Sequence, residues 1–185
     1  NGVSSWDKIP RAIRLIGGVL VLMTTWLAVA QLREIGINLL LSALLLVWAA
    51  DIFAYAFGRL LGGKLFGTRK LAPSISPGKT WEGVIGGFVG VLCVAAFWLW
   101  VDHTYSSDSL SIYSVIEHRF GWLGLLVLVF LTMLAVVGDL IESLVKRSCG
   151  VKDSSGLLPG HGGVLDRVDA LLPVLPTAML LVSFG

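Results

Sequence analysis

Of the chain's 185 residues, 56% are hydrophobic and only 14% charged, and the mean hydropathy is +0.86. Soluble domains carry about 25% charged residues, so this balance argues against a soluble globular protein and for one embedded in a membrane. A net charge of +2 without a Lys/Arg-rich run gives no support to a nucleic-acid partner, and Cys93 and Cys149 have the spacing of neither a disulfide framework nor a zinc site.

A helix needs about 20 mostly apolar residues to cross the hydrocarbon core. Five runs qualify as predicted spans, roughly 15–32, 37–60, 84–101, 122–140 and 170–184, the last one short. No run resembles a cleavable signal peptide. The chain starts without methionine and stops inside a span, so it reads as the C-terminal part of a longer protein, folded as one all-α polytopic transmembrane bundle over residues 1–185. Lys8, Arg11 and Arg14 precede the first span; Arg59, Lys64, Arg69, Lys70 and Lys79 lie between the second and third; Lys146, Arg147, Lys152 and Arg167 lie between the fourth and fifth. Twelve of the 14 basic residues thus share one side, leaving Arg33 and Arg119 on the other. Basic residues stay on the cytoplasmic side of short loops, so loops 61–83 and 141–169 are expected to face the cytoplasm and loop 102–119 the outside. Trp98, Trp100 and Trp122 fall at the outer boundary and Trp81 at the inner one, as interfacial anchors do.

Asp51 lies inside the second span, where an unpaired carboxylate is costly and a partner is expected. Arg59, two turns on, fits that role poorly, which leaves an interhelical hydrogen bond or a place in a site. The segment from Lys70 to Gly83 contains Gly78-Lys79-Thr80, the ending of a phosphate-binding P-loop. Pro73 stands where that motif needs its first glycine, and a span follows in place of a βα unit, so the P-loop is rejected. Ser76, Lys79 and Thr80 still offer donors beside the start of a helix, which favours an anion.

The densest chemistry lies between Asp139 and Asp169. If the fourth helix continues past its span, Asp139, Glu142, Ser143 and Lys146 stand at i, i+3, i+4 and i+7 on one face. Pro159-Gly160-His161-Gly162-Gly163 then breaks the helix and lets backbone approach a ligand closely. Asp166, Arg167 and Asp169 come just before the last span. Two carboxylate groups from neighbouring spans, with Lys146, Arg147, Lys152 and Arg167 nearby, suit Mg²⁺ on a polyphosphate and do not suit zinc.

The residues Ser143-Leu144-Val145-Lys146-Arg147, Lys152-Asp153, Leu158 to Gly163 and Asp166-Arg167-Val168-Asp169 resemble the signature of the phosphatidate cytidylyltransferases, or CDP-diacylglycerol synthases, in order and spacing. Ser74 to Gly83 resembles that family's second recurring stretch. The resemblance implies an enzyme of phospholipid biosynthesis in the inner (cytoplasmic) membrane. It would turn CTP and phosphatidic acid into CDP-diacylglycerol and pyrophosphate, with Mg²⁺, at a site facing the cytoplasm. On that reading Asp139 and Asp166 are the metal ligands, and Asp139, Lys146, Asp166 and Asp169 form the catalytic set. Ser76, Lys79, Thr80, Ser143, Arg147, Lys152, His161, Gly162, Gly163 and Arg167 contact substrates. A related lipid kinase or a cytidylyltransferase for another lipid shares this architecture. An ion-coupled transporter using Asp51 and Asp139 accounts for the carboxylates but not for the basic and His-Gly-Gly clusters. Gly86, Gly87 and Gly90 allow a close helix contact, which a homodimer could use.

Overall fold

The computed structural model describes residue 6 and residues 8–67, 70–105, 109–157 and 162–184. Among them, seven helices and one small hairpin follow in order: α1 (Arg11–Ile35), α2 (Ile37–Leu61), β1 (Lys70–Ala72), β2 (Ser76–Thr80), α3 (Trp81–Thr104), α4 (Ile112–Phe120), α5 (Gly124–Ser148), the four-residue α6 (Leu165–Val168) and α7 (Leu171–Ser183). A 3₁₀ turn, Gly121–Leu123, joins α4 to α5. Four stretches are long and apolar enough to cross a membrane: α1, α2, α3 and the run Ile112–Ser148 that contains α4 and α5. The protein is a multi-pass integral membrane protein with an all-α core.

Three sequence expectations change in detail. The fifth predicted span is a helix of 13 residues, Leu171–Ser183, shorter than a full crossing. The loop 61–83 contains the antiparallel hairpin β1–β2, with Lys70 opposite Thr80 and Ala72 opposite Ser76. The loop 102–119 contains α4, whose Ile112, Tyr113 and Ile116 are buried.

Helices α2 and α3 make the most extensive contact in the bundle, and its cause is a stripe of small residues. A Cβ at Gly83 would lie 2.9 Å from the Ala54 carbonyl oxygen, and one at Gly87 would lie 3.0 Å from that of Ala50. Backbones this close exchange dispersion contacts along the whole interface, which is how small residues bind helices without a hydrophobic driving force. Gly86 and Gly90 face Phe57 and Phe53 in the same seam. The stripe therefore serves a contact within the chain. The core around it consists of residues such as Leu32, Leu39, Leu46, Ile112, Leu131 and Val174, all at most 1% exposed.

A polar network closes the end of the bundle opposite the hairpin. Asn38 Nδ2 donates to Asp102 Oδ1 (3.0 Å) and to the Ser109 carbonyl (2.7 Å), while Trp98 Nε1 donates to Asn38 Oδ1 (2.8 Å). Asp102 Oδ2 accepts from Ser114 Oγ (2.6 Å) and from the Ser111 N–H (3.1 Å). Ser42 Oγ accepts from the Ile112 N–H at 2.9 Å. Asp102 and Asn38 thereby fix α4 to α2 and α3, and Trp98 is a member of this network as well as an interfacial aromatic.

Candidate active site

The hairpin end of the bundle gathers the residues expected to do chemistry. Thr80 ends β2 and caps α3, its Oγ1 accepting from the Gly83 N–H at 3.1 Å. Lys79, one residue earlier, points away from α3 toward α5: its Nζ lies 2.5 Å from Asp139 Oδ2 and 3.4 Å from the Val136 carbonyl oxygen. Arg147 Nε reaches the Ile75 carbonyl in the hairpin turn at 3.4 Å. The hairpin is thus tied to α5 at two points.

Helix α5 does continue past its apolar part, so Asp139, Glu142, Ser143 and Lys146 share one face. Ser143 Oγ donates to Asp139 Oδ1 at 3.3 Å, and Lys146 forms an ion pair with Glu142, which is 6% exposed.

Gly138 explains how a second carboxylate comes beside Asp139. A Cβ at this position would lie 2.7 Å from the Asp169 carbonyl oxygen and 2.9 Å from Pro173 Cγ. Without that side chain, the strand of backbone entering α7 passes directly against α5. Asp169 and Asp51 both lie within electrostatic reach of Asp139 and Lys79. Burial, the neighbouring Asp139 carboxylate and, more weakly, Asp51 push the Asp169 carboxyl up to about 6, against the Ala170 N–H (2.8 Å) and Lys79, which favour its charged form. Three carboxylates with one ammonium among them leave a local surplus of negative charge. Arg59, the sequence partner considered for Asp51, donates instead to Tyr55 Oη at 2.9 Å.

Asp166 belongs to a different network. Its Oδ1 takes a hydrogen bond from Lys146 Nζ at 2.5 Å. Its Oδ2 accepts from the Ser154 N–H (2.9 Å), Ser154 Oγ (2.8 Å) and the Gly163 N–H (2.7 Å). Burial works against the charged carboxylate here, but the Lys146 ammonium and these N–H and O–H donors outweigh it and hold the group well below the usual carboxylate range. Asp166 thereby fastens the loop after α5 to the helix itself. Gly162, at φ 78°, makes the turn that aims the Gly163 N–H at it.

The sequence-predicted residues therefore fall into two adjoining groups: Lys79, Asp139 and Asp169, joined by Asp51; and Lys146, Asp166 and Gly163, joined by Glu142 and Ser154. Ser76 opens β2 opposite Ala72, and Lys152, on the loop after α5, and Arg167, in α6, are exposed around the second group. His161 lies outside the described residues. Two further contributors stand outside the sequence-predicted set. Ser154 is one of several loop serines, and Glu82 stands in the polar segment that leads into the third predicted span. Glu82 is 1% exposed and its Oε1 accepts from the N–H groups of Gly63 (3.0 Å) and Phe66 (3.1 Å). The signal available for it was an acidic residue in the first turn of a Thr-capped helix, where the helix dipole favours negative charge.

Magnesium is a hard cation that takes oxygen ligands and usually keeps several waters, so one or two protein carboxylates suffice. Among the described residues no three Asp, Glu, His or Cys side chains are gathered closely enough to cage a metal unaided. Asp139 and its two carboxylate neighbours nevertheless fit such an ion in donor type and in their surplus charge. The oxygens of Asp166 already hold four donors.

Residues 5–184 match the cytidylyltransferase family. The chain is 41% identical over 175 residues to the phosphatidate cytidylyltransferase of Pseudomonas aeruginosa, covering 93% of this chain and 58% of that protein. It is 46% identical over 142 residues to the Haemophilus influenzae protein of the same name (76% and 44%) and 43% identical over 150 residues to that of Staphylococcus haemolyticus (81% and 51%). The chain spans about half the length of the curated relatives it matches. With the match running from one end to the other, through both groups at the hairpin end, the chain belongs to the cytidylyltransferase family.

Proposed function

We propose that the protein is a phosphatidate cytidylyltransferase of the inner membrane. A phosphate oxygen of phosphatidic acid attacks the α-phosphorus of CTP, the bond to the β-phosphate breaks, and CDP-diacylglycerol and pyrophosphate result. The observation that carries this reading is the juxtaposition of Lys79 with Asp139, flanked by Asp51 and Asp169, at the end of four membrane-crossing stretches. A soluble polyphosphate and a lipid phosphate can meet there. The relatives' names support the substrates, and the distribution of basic residues supports a site facing the cytoplasm.

Phosphoryl-type transfers depend mainly on positioning and charge stabilisation, so no protein nucleophile is required. Lys79 orients phosphate oxygens while Asp139 holds its ammonium in place. Asp139, with Asp169 or Asp51 beside it, would hold Mg²⁺, which when bound supplies charge neutralisation on the phosphates. Asp166, the second ligand expected from sequence, acts through its hydrogen bonds by fixing the loop that carries Gly162 and Gly163, and Lys146 anchors it from α5. Arg147, Lys152 and Arg167 add positive charge around the entrance.

The test is incubation of the purified protein in lipid nanodiscs with Mg²⁺, phosphatidic acid and CTP labelled at either the α- or the γ-phosphate. Label is expected in the lipid from α-labelled CTP alone. Transfer of the γ-label would make the protein a lipid kinase, and no labelled lipid from either would refute both.

A further inference from the structure

Outside the carboxylate group, glycines converge on one place. Gly58 and Gly62 end α2 one turn apart, and Gly63 and Gly67 shape the following turn at φ 80° and 65°. Gly78 and Thr80 of β2 face them, with exposed Lys70 completing the lining of a cavity of about 300 Å³. That volume is at the lower end for small-molecule sites. The wall is main chain in place of side chains, so a ligand can come close to backbone donors and acceptors.

The shape of the wall depends on Glu82, whose Oε1 takes up the N–H groups of Gly63 and Phe66. Its Oε2 is buried without a hydrogen-bond partner among the described residues, a costly arrangement to keep. Because Glu82 already occupies those N–H groups, the turn has little left to cradle an anion. Among the described residues, Lys70 is the one charged residue of the lining. A neutral ligand with both donors and acceptors fits better than a phosphate chain.

Position within β2 indicates which ligand. Successive strand residues point to opposite faces: Gly78 and Thr80 line the cavity, while Lys79 between them meets Asp139. In the described residues β2 pairs with β1 alone, so no strand covers its other edge. We propose that this cavity takes the base and ribose of the nucleotide, whose phosphates then lie across β2 at Lys79 and the carboxylate group. The inference rests on the proposed cytidylyltransferase activity and assigns the half of the substrate that the ion pairs do not.

Gly78→Val tests it. A Cβ at Gly78 meets nothing within 4 Å, its φ is not left-handed, and a strand accepts a β-branched residue, so the variant narrows the cavity that Gly78 lines without disturbing the fold. The KM for CTP should rise about tenfold or more, with kcat and the KM for phosphatidic acid within about threefold. Free cytidine, which has no phosphate, should compete with CTP in the wild type and lose that competition in the variant. If the wild type turns over CTP but folded Gly78→Val keeps its KM for CTP, the cavity assignment is wrong and the activity stands, whether or not cytidine competes. If the wild type does not turn over CTP at all, the functional reading fails and the assignment with it. Should the variant not fold, hydrogen exchange of the wild type decides: cytidine must slow exchange at residues 63–67 and 78–80, and no protection overturns the proposal.

Discussion

Asp139 and Asp166 are both aspartates of the same signature, yet their surroundings give them different work. Asp139 pairs with a cation and lies within electrostatic reach of two further carboxylates, whereas Asp166 accepts four hydrogen bonds from its own chain. Asp139→Asn should leave the fold intact and lower CTP-dependent turnover by about a thousandfold, the loss of several kcal/mol of charge stabilisation. Asp166→Asn keeps an acceptor but loses the charge that holds Lys146, at a cost of about 2 kcal/mol. Its expected mark is a melting temperature lower by several degrees and faster proteolysis within residues 150–165, measured on the purified proteins side by side. A thousandfold loss of turnover for Asp166→Asn with unchanged melting would move that residue into the chemistry. The identities of the acidic residues were legible in sequence, because carboxylates at a membrane boundary stand out. Their partners were not. The donors to Asp166 and Glu82 are largely main-chain N–H groups, and those carry no residue-type signal.

At the level of elements, the apolar runs located the spans because burial in lipid demands length and hydropathy, both readable from sequence. The hairpin Lys70–Thr80 carries no such pattern. Its two short strands contain Pro77 and Gly78 and show no alternation of apolar and polar residues. Helix α4 was hidden by length, since nine residues in a polar connection look like loop until Ile112 and Tyr113 are seen to be buried. The contact of α5 with the entry to α7 depends on a missing side chain at Gly138. Gly138→Val should force these segments apart at a cost of about 1–3 kcal/mol and reduce turnover by about tenfold or more, since Asp169 moves with the backbone. Parallel measurements of melting temperature and turnover check this, and a fully active, fully stable variant would show that the approach of α7 to α5 is not needed. At the far end, Ser114→Ala removes one donor to Asp102 and should cost about 1 kcal/mol of stability while the KM for CTP stays unchanged.

The whole molecule is held differently at its two ends. The far end is joined by a network of Asn38, Asp102, Ser111 and Ser114, and the hairpin end by ion pairs and loop hydrogen bonds around the site. Helix α5 connects the two as an unbroken rod of 25 residues. At about 1.5 Å per residue it is about 37 Å long, and Asp139 lies about 22 Å from its Gly124 end. Exposed Trp122, beside that end, marks the boundary of the lipid. A hydrocarbon layer of about 30 Å then places Asp139 several ångströms below the opposite surface and Lys146 close to it. Depth is thus fixed by a rigid ruler, and a lipid substrate of the proposed reaction must bring its headgroup to that level. Bilayer thickness becomes a variable of the chemistry: phosphatidic acid turnover in nanodiscs should peak at intermediate chain length and fall in longer-chain lipids, where the ion pair of Lys79 and Asp139 sinks away from water. A flat response across chain lengths would mean that the surrounding membrane adapts fully around the protein. A peak would mean that the proposed activity reads membrane thickness through the length of one helix.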